Sequence, residues 1–255
     1  MKASTIIRPK LIQGGAVLLL IVIWKAASLY INTPIILPSP ELVLASLIRI
    51  GGHGWFWESL LFSGLRVLAG FCIAAAFGLF FGIASGINST VRNVLHPVLV
   101  LFRTIPAVAV ILLALLWFRV GLVPVFVSFL LGFPIICTNV IAGMDNVDPK
   151  LLEMASTYMV DRKKIITGIY FPSTLPFFLA GSSTAIGIGW KIIVTSEVLS
   201  QPIFGIGTEL YLSKIQLETA EMFAWTIAGI CMGGVFESIF HFTSKYLFSR
   251  RSSGN

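Results

Sequence analysis

Charged side chains inside apolar stretches are the residues of this chain best suited to binding a solute. Arg103, Lys191 and Glu197 each interrupt a long apolar segment, and Trp190 directly precedes Lys191. A charge near the middle of a bilayer costs on the order of 3 kcal/mol, so such residues usually pair or line a polar pathway. We therefore identify Arg103, Trp190, Lys191 and Glu197 as candidate pathway residues. The alternative is that Lys191 or Glu197 pairs with Glu237 or with another segment.

The sequence contains no motif for nucleotide binding or for the common kinds of catalysis. The phosphate loop GxxxxGK[ST], the zinc motif HExxH and the nucleophile motif GxSxG are all absent. Cys72, Cys137 and Cys231 lie in separate apolar stretches without paired spacing, which favours packing roles over a disulfide or a metal site. We expect no cofactor, no metal and no catalytic residue. Any nucleotide that drives this protein must then bind to another chain.

The segment 148–181 is a charged insert between apolar stretches, and its chemistry suits a docking surface. Asp148 can cap a helix that begins with Pro149, because proline at the first helical position loses no needed donor. Apolar side chains then recur at helical spacing along one face, and polar residues that include Glu153 occupy the others. The apolar set is Leu151, Leu152, Ala155, Tyr158 and Met159. This pattern predicts a short helix that contacts another chain.

A second short helix is predicted to start at Asp161, and Pro172 is expected to end the segment. Arg162, Lys163 and Lys164 follow that start directly. Positive charges at a helix start oppose the helix dipole, so local helix stability does not explain them. We expect these three residues to meet either a partner or an anionic membrane surface.

The composition is that of an integral membrane protein. Hydrophobic residues make up 56% of the chain and charged residues 11%, whereas about a quarter of the residues are charged in soluble domains. Apolar runs of sufficient length predict an all-α, polytopic membrane helix bundle with six spans. The predicted spans are 11–31, 61–87, 95–118, 121–144, 171–199 and 221–245. Lys25 and Arg66 lie near the ends of their spans, where a long side chain can reach the interface.

The distribution of Lys and Arg predicts the orientation of the chain. If both termini are cytoplasmic, eleven basic residues lie inside and three lie outside. The inner set is Lys2, Arg8, Lys10, Arg92, Lys150, Arg162, Lys163, Lys164, Lys245, Arg250 and Arg251, and the outer set is Arg49, Arg119 and Lys214. The insert is then cytoplasmic, and the net charge of +7 reflects this bias rather than a nucleic-acid surface. The first apolar stretch is expected to stay as an anchor, because no small-residue cleavage site is evident.

Four regions of the chain follow from these patterns. Residues 1–34 form a cytoplasmic tail and the first span, and residues 35–58 form an external connection. Residues 59–247 form the membrane core with the remaining spans, and residues 248–255 form a cytoplasmic tail.

Several short motifs occur in the order found in one family of membrane proteins. Glu153-Met154-Ala155, with Ile169, Pro172, Pro176 and Gly181 downstream, resembles the EAA loop of permease subunits in binding-protein-dependent ABC importers. Further motifs resemble the nitrate, sulfonate and taurine branch of that family. They are Leu37-Pro38-Ser39-Pro40, Arg66-Val67-Leu68-Ala69-Gly70-Phe71, Arg103-Thr104-Ile105-Pro106-Ala107-Val108-Ala109, Leu116-Trp117-Phe118, Trp190, Glu197 and Gly205-Ile206-Gly207. The resemblance covers roughly residues 35–245.

The resemblance implies a type I importer permease in a bacterial inner membrane. Two permease copies, most simply a homodimer, would form the pathway across the lipid bilayer, and two cytoplasmic ATPases would bind the first short helix of the insert, with Glu153 at the edge of the contact. A soluble extracytoplasmic binding protein would deliver the solute to the external segment 201–221. The solutes of this branch and its relatives include sulfonates, taurine, nitrate, bicarbonate, pyrimidines and vitamin-like compounds, and the resemblance does not choose among them.

The chain departs from the family pattern at three positions. Met154 stands where Ala is usual, Met159 where Gly is usual, and Arg119 where the branch commonly has Gly. Met159 cannot adopt a positive φ as cheaply as Gly, so we expect the turn after the first short helix to be built differently.

Two other classes of membrane protein are alternatives. A secondary transporter or channel would more naturally show paired intramembrane acids or inverted repeats, and neither is evident in the sequence. A membrane enzyme is disfavoured because no catalytic residues cluster at one membrane depth.

Overall fold

The computed structural model describes the backbone of residues 4–252 and the side chains of residues 12, 14–161 and 163–244. Regular structure in that range is entirely helical. The helices are α1 (Ser4–Ile31), α2 (Pro40–Gly51), α3 (Gly54–Ile87), α4 (Ser89–Thr104), α5 (Ala107–Trp117), α6 (Val123–Asp145), α7 (Pro149–Thr157), α8 (Arg162–Ile165), a π-helical turn (Ile166–Tyr170), α9 (Phe171–Ser200), α10 (Ile206–Ile215) and α11 (Thr219–Ser252). Seven residues of the predicted inner basic set lie outside the described side chains: Lys2, Arg8, Lys10, Arg162, Lys245, Arg250 and Arg251.

Five helical stretches of the described chain are long and apolar enough to cross a membrane. The number rises to six if the bent pair of α4 and α5 is counted as one further span. The prediction of an all-α membrane bundle is confirmed. α3 begins at Gly54 rather than at the predicted residue 61, and α2 lies within the segment predicted as an external connection. The helix α11 likewise continues to Ser252, past the predicted end of the last span at residue 245.

The third predicted span, 95–118, is not one continuous helix. α4 ends at Thr104 and α5 starts at Ala107, and the two helices are bent by 101°. Pro106 has no N–H to donate, and it favours extended backbone at the preceding residue, where Ile105 has φ −65° and ψ 127°. The hydroxyl of Thr104 donates to the carbonyl oxygens of Val100 and Leu101, at 3.2 and 3.1 Å, at the end of α4. The proline therefore makes a sharp break, which hydropathy alone does not reveal.

The prediction that Pro172 ends the second part of the insert is wrong. A continuous helical stretch, Lys163–Ser200, runs from the insert through the fifth predicted span. The π-helical turn lies directly before Pro172, and the N–H of Phe171 donates to the carbonyl oxygen of Ile166 five residues earlier. A widened turn of this kind lets a helix take up a proline without breaking.

Glycines let α3 and α6 approach closely at the centre of the bundle. A Cβ atom added at Gly78 would lie 2.8 Å from Ile136, and one added at Gly82 would lie 2.5 Å from Val140. The same holds at Gly86, where it would lie 2.6 Å from Met144. Because the glycines recur every four residues, they form a flat strip along α3 into which the side chains of α6 fit.

The helix α6 also packs closely against α9. A Cβ atom added at Gly181 of α9 would lie 2.7 Å from Asn139, and one added at Gly143 of α6 would lie 3.0 Å from the Thr174 backbone. This agrees with the close packing that small residues in the fifth span favour. α6 is therefore held between α3 and α9.

In its second half, the helix α1 contacts α2, α11 and the loop between α1 and α2. Lys25 reaches out of the helix to the carboxylate of Glu41 in α2, with 2.8 Å between Nζ and Oε2. This hydrogen bond lowers the pKa of Glu41 to about 2. Trp24 donates from Nε1 to the carbonyl oxygen of Pro38 at 3.0 Å and stacks on Phe223 of α11. Lys25 thus points away from α1 toward α2, and its reach to the membrane interface stays a prediction.

Candidate functional site

The short helix α7 forms as the sequence predicts. The carboxylate of Asp148 accepts a hydrogen bond from the N–H of Lys150 at 2.9 Å, and Pro149 occupies the first turn. The cap satisfies a donor that the helix start would otherwise leave free. Only Asn146 and Val147 separate this cap from the end of α6 at Asp145. α7 is therefore joined by a short connection to α6, the central helix of the bundle.

One face of α7 presents large apolar side chains to the outside. Leu151 is 41% exposed, Met154 54% and Tyr158 77%. These residues are spaced by three and four and so share one side of the helix. Ala155, which the sequence placed in the contact set, is only 3% exposed, and Leu152 is half-buried. The outward apolar face therefore contains Met154 in place of Ala155.

The remaining predicted contact residues of α7 are also exposed. Glu153 lies at the surface beside the apolar face, and Met159 at the end of the helix is 92% exposed. A large apolar side chain that is almost wholly exposed is uncommon unless another molecule covers it. The sequence did not single out Met154 as a contact residue, although its spacing from Leu151 and Tyr158 is the signal that could have identified it.

The turn after α7 has the geometry that glycine normally provides. Met159 has φ 50°, in the left-handed region. The N–H of Val160 donates to Ala155 at 2.9 Å and the N–H of Met159 donates to Ser156 at 3.1 Å. These two bonds define a Schellman cap. The expectation of a differently built turn is wrong, because Met159 itself adopts the positive φ that glycine would adopt at this position of the cap.

An arginine on α4 links this end of α6 to the bent helix pair. Arg92 donates from Nη2 to Oδ1 of Asp145 at 2.5 Å and from Nε to the carbonyl oxygen of Ser85 at 3.2 Å. Asp145 is the last residue of α6, so the ion pair lies next to the base of α7. Both side chains are partly exposed, which limits the strength of this pair to about 1 kcal/mol or less.

At the other end of the bundle, Glu197 of α9 is fully buried in a network of donors. Arg66 of α3 donates from Nη1 to Oε1 of Glu197 at 2.6 Å. Ser63 lies 2.8 Å from each carboxylate oxygen, and the N–H of Gly207 donates to Oε2 at 3.0 Å. A buried charge is tolerated when it is paired and hydrogen-bonded, as it is here.

The same network holds the start of α10. Arg66 also donates to the carbonyl oxygen of Phe204 at 2.7 Å, and the N–H of Ile206 donates to Ser63 at 3.0 Å. A Cβ atom added at Gly207 would lie 2.3 Å from the carbonyl oxygen of Val194. Only glycine therefore allows the backbone to approach α9 this closely. We call Ser63, Arg66, Glu197 and the backbone of 204–207 the Arg66–Glu197 network.

This network corrects one sequence-based expectation and decides between the alternatives for another. Arg66 does not extend to the membrane interface, because its side chain is only 11% exposed and points inward to Glu197. Glu197 pairs with Arg66 of α3, in line with the alternative that it pairs with another segment, and Glu237 is not among its described partners. The partners are 131 residues apart in sequence, so helical spacing could not have joined them.

The other candidate pathway residues lie at two separate places. Arg103 of α4 donates to the hydroxyl of Thr138 of α6 and lines a cavity of about 200 Å³ together with Arg92 and His96. Trp190 of α9 is buried and packs against Phe236, with 5.7 Å between ring centroids. The structure thus places Arg103 between α4 and α6, away from Trp190 on the α9 and α11 side.

Lys191 is exposed and lines a cavity of about 430 Å³ between α9, α10 and α11. Glu237 of α11 lines the same cavity, but the two side chains form no ion pair among the described residues. The structure therefore does not gather Arg103, Trp190, Lys191 and Glu197 into one site within a single chain.

Comparison with known proteins gives a consistent result for family and fold. Residues 74–253 match the family model described as "Binding-protein-dependent transport system inner membrane component". The chain is 30% identical to the taurine transport system permease protein TauC of Escherichia coli (strain K12), over 73% of this chain and 70% of that one. It is 28% identical to the putative aliphatic sulfonates transport permease protein SsuC of Bacillus subtilis (strain 168), over 92% and 85%.

Solved structures agree on the fold. An amino acid ABC transporter crystallised with histidines matches with a TM-score of 0.61 at 17% identity, over 80% of this chain and 97% of that one. An inward-facing MetNI methionine ABC transporter matches with a TM-score of 0.53 at 14% identity, over 78% and 96%. The bundle therefore has the fold found in these ABC transporters. With its family model spanning most of the sequence, the chain belongs to the binding-protein-dependent transport system inner membrane components.

Proposed function

We propose that this chain forms the translocation pathway of an ATP-driven importer and couples to cytoplasmic ATPases through α7. The observation that carries the proposal is the exposed apolar face of α7, which sits directly on the end of α6. A groove on an ATPase could take up Leu151, Met154 and Tyr158, in the manner of an amphipathic helix binding to a groove. Glu153 would add a charged contact at the edge.

The proposed orientation places both termini and α7 in the cytoplasm. It rests on the excess of basic residues on that side. The loop and helix at 201–221 then face outward and form the surface for a binding protein. One chain carries a full set of spans, so two copies would make the complete pathway as a homodimer.

The proposed solute is a small anion or a small molecule with an anionic group. Relatives bear names that refer to taurine, aliphatic sulfonates, bicarbonate and nitrate. Arg103 and Lys191 both line cavities in the membrane region and could attract such a group. A second copy of the chain would have to bring these cavities to a common pathway.

Capture of an ATPase tests the coupling proposal. The full-length chain in lipid nanodiscs is mixed with each candidate cytoplasmic ABC ATPase, and binding and ATP hydrolysis are measured. Glu153→Arg and Tyr158→Ser should each weaken capture about tenfold, because one reverses an edge charge and the other removes an exposed aromatic contact. Glu58→Arg is the matched control, since Glu58 is exposed at the start of α3, at the opposite end of the bundle from α7.

The control should capture the ATPase as the native chain does. If native protein captures no ATPase, the importer proposal fails, and a secondary transporter becomes the better explanation. If Glu153→Arg and Tyr158→Ser capture as well as the native chain, the importer assignment stands but α7 is not the coupling element.

A further inference from the structure

The basic residues Lys163 and Lys164 have no explanation within the described part of the chain. Both are exposed, and neither forms an ion pair with a described side chain. They lie in the first turn of α8, at the start of the continuous helical stretch that runs to Ser200, where positive charge opposes the helix dipole. An anion from outside the chain would relieve this unfavourable placement.

An apolar slot opens next to these lysines. It has a volume of about 140 Å³ and lies between α3, the end of α6 and the π-helical start of α9. One wall is formed by Leu79, Ile83 and Ile87 of α3, which are spaced by four residues. Side chains at this spacing line one side of a helix, so the wall follows the helix axis for about 12 Å.

The opposite wall has the same spacing. Ile166, Tyr170, Thr174 and Phe178 also line the slot at intervals of four residues. The slot is therefore elongated along the helices, as the groove between two neighbouring spans would be. Its shape and apolar lining suit a hydrocarbon chain lying parallel to the spans.

The mouth of the slot lies at the level of the lysines. Ile87 ends α3, Met144 is next to the end of α6, and Ile166 follows α8. These three residues mark the ends of helices on one side of the membrane. Lys163 lies one turn before Ile166 and shares its face of the helix, because the two residues are three apart.

We propose that the slot together with Lys163 and Lys164 binds an anionic phospholipid. The part of one acyl chain next to the glycerol occupies the slot, and the phosphate contacts the two lysines. Charge complementarity selects this occupant over a neutral lipid, because lysines near a membrane surface attract anionic headgroups. The lipid belongs to the leaflet on the side of α7, which is the inner leaflet in the orientation proposed above. The site does not depend on the proposed ATPase contact.

Lipid binding to the full-length permease in detergent is measured by native mass spectrometry. Phosphatidylglycerol and phosphatidylcholine with the same acyl chains are compared. The native chain should retain phosphatidylglycerol preferentially, and Lys163→Gln with Lys164→Gln should weaken its binding about thirtyfold without changing phosphatidylcholine binding. Lys214→Gln is the matched control, because Lys214 is exposed and lies on α10 at the other end of the bundle.

A second variant tests the slot itself. Ile83→Phe should fill part of the slot and weaken retention of phosphatidylglycerol, while thermal unfolding reports whether the variant is folded. Glycerol 3-phosphate, which has the anionic group without acyl chains, should not compete. Equal binding of the two phospholipids, or unchanged binding by the double lysine variant, would overturn the proposal. A third outcome would also overturn the proposal: the double lysine variant loses ATPase capture, and the loss is the same with and without phosphatidylglycerol. The two lysines would then contact the ATPase rather than a lipid.

Discussion

Replacing Met159 with glycine should stabilise the permease and weaken the proposed ATPase contact at the same time. Met159 has φ 50° and a side chain that is 92% exposed. The left-handed conformation costs a non-glycine residue roughly 1 kcal/mol or more. Met159→Gly removes this strain and loses almost no packing within the chain. The free energy of unfolding should therefore rise by about 1 kcal/mol.

The same substitution removes an apolar side chain that the proposed ATPase would cover. Full burial of a methionine side chain contributes about 1.5 to 3 kcal/mol, so capture should weaken at least about tenfold. Thermal unfolding in detergent measures the first effect, and titration of nanodisc-bound permease with the ATPase measures the second. The two readouts should move in opposite directions.

Gln201 provides the matched control for Met159. It also has a positive φ, 47°, as the residue that ends α9, and it is exposed at the far end of the bundle from α7. Gln201→Gly should raise stability by a similar amount and leave ATPase capture unchanged. Unchanged capture by Met159→Gly would refute a contact role for Met159. A loss of stability on Met159→Gly would refute the strain assigned to the turn.

Two further changes test the buried network and the orientation. Glu197→Gln should lower the free energy of unfolding by about 3 kcal/mol, because it leaves the charge of Arg66 buried without a counter-charge. Chemical denaturation measures this free energy. A loss below about 1 kcal/mol would contradict the description of Arg66 and Glu197 as a buried ion pair. In a chain whose three native cysteines are replaced by alanine, Lys214→Cys should react with a membrane-impermeant maleimide added to intact cells, and Lys150→Cys should react only after the cells are opened. The opposite labelling pattern would reverse the proposed orientation.

The features set by local sequence were the predictable ones. Asp148 and Pro149 start α7 where expected, because a cap and a first-turn proline act on neighbouring backbone. Long apolar runs likewise identified most of the spans, since length and hydropathy are properties of each segment by itself. The family resemblance rested on motifs of the same local kind.

Features that depend on distant parts of the chain were not predictable. Helical spacing alone does not decide whether Ala155 or Met154 faces outward, because that choice depends on which side of α7 packs inward. The partner of Glu197 lies on another helix, and hydropathy carries no information about such pairs. Pro106 removes a backbone donor in the third span, but the size of the bend also depends on how α5 packs against its neighbours.

The contacts of α6 explain how a displacement of α7 would spread through the protein. Glycines let α6 pack at van der Waals distance against both α3 and α9, so we expect these three helices to move together. Two arginines tie α4 to the same helix: Arg92 contacts Asp145, and Arg103 contacts Thr138. These ties are partly exposed and weaker than close packing. A push on α7 would therefore move α3, α6 and α9 as one unit, and the bent pair of α4 and α5 would adjust its position relative to that unit.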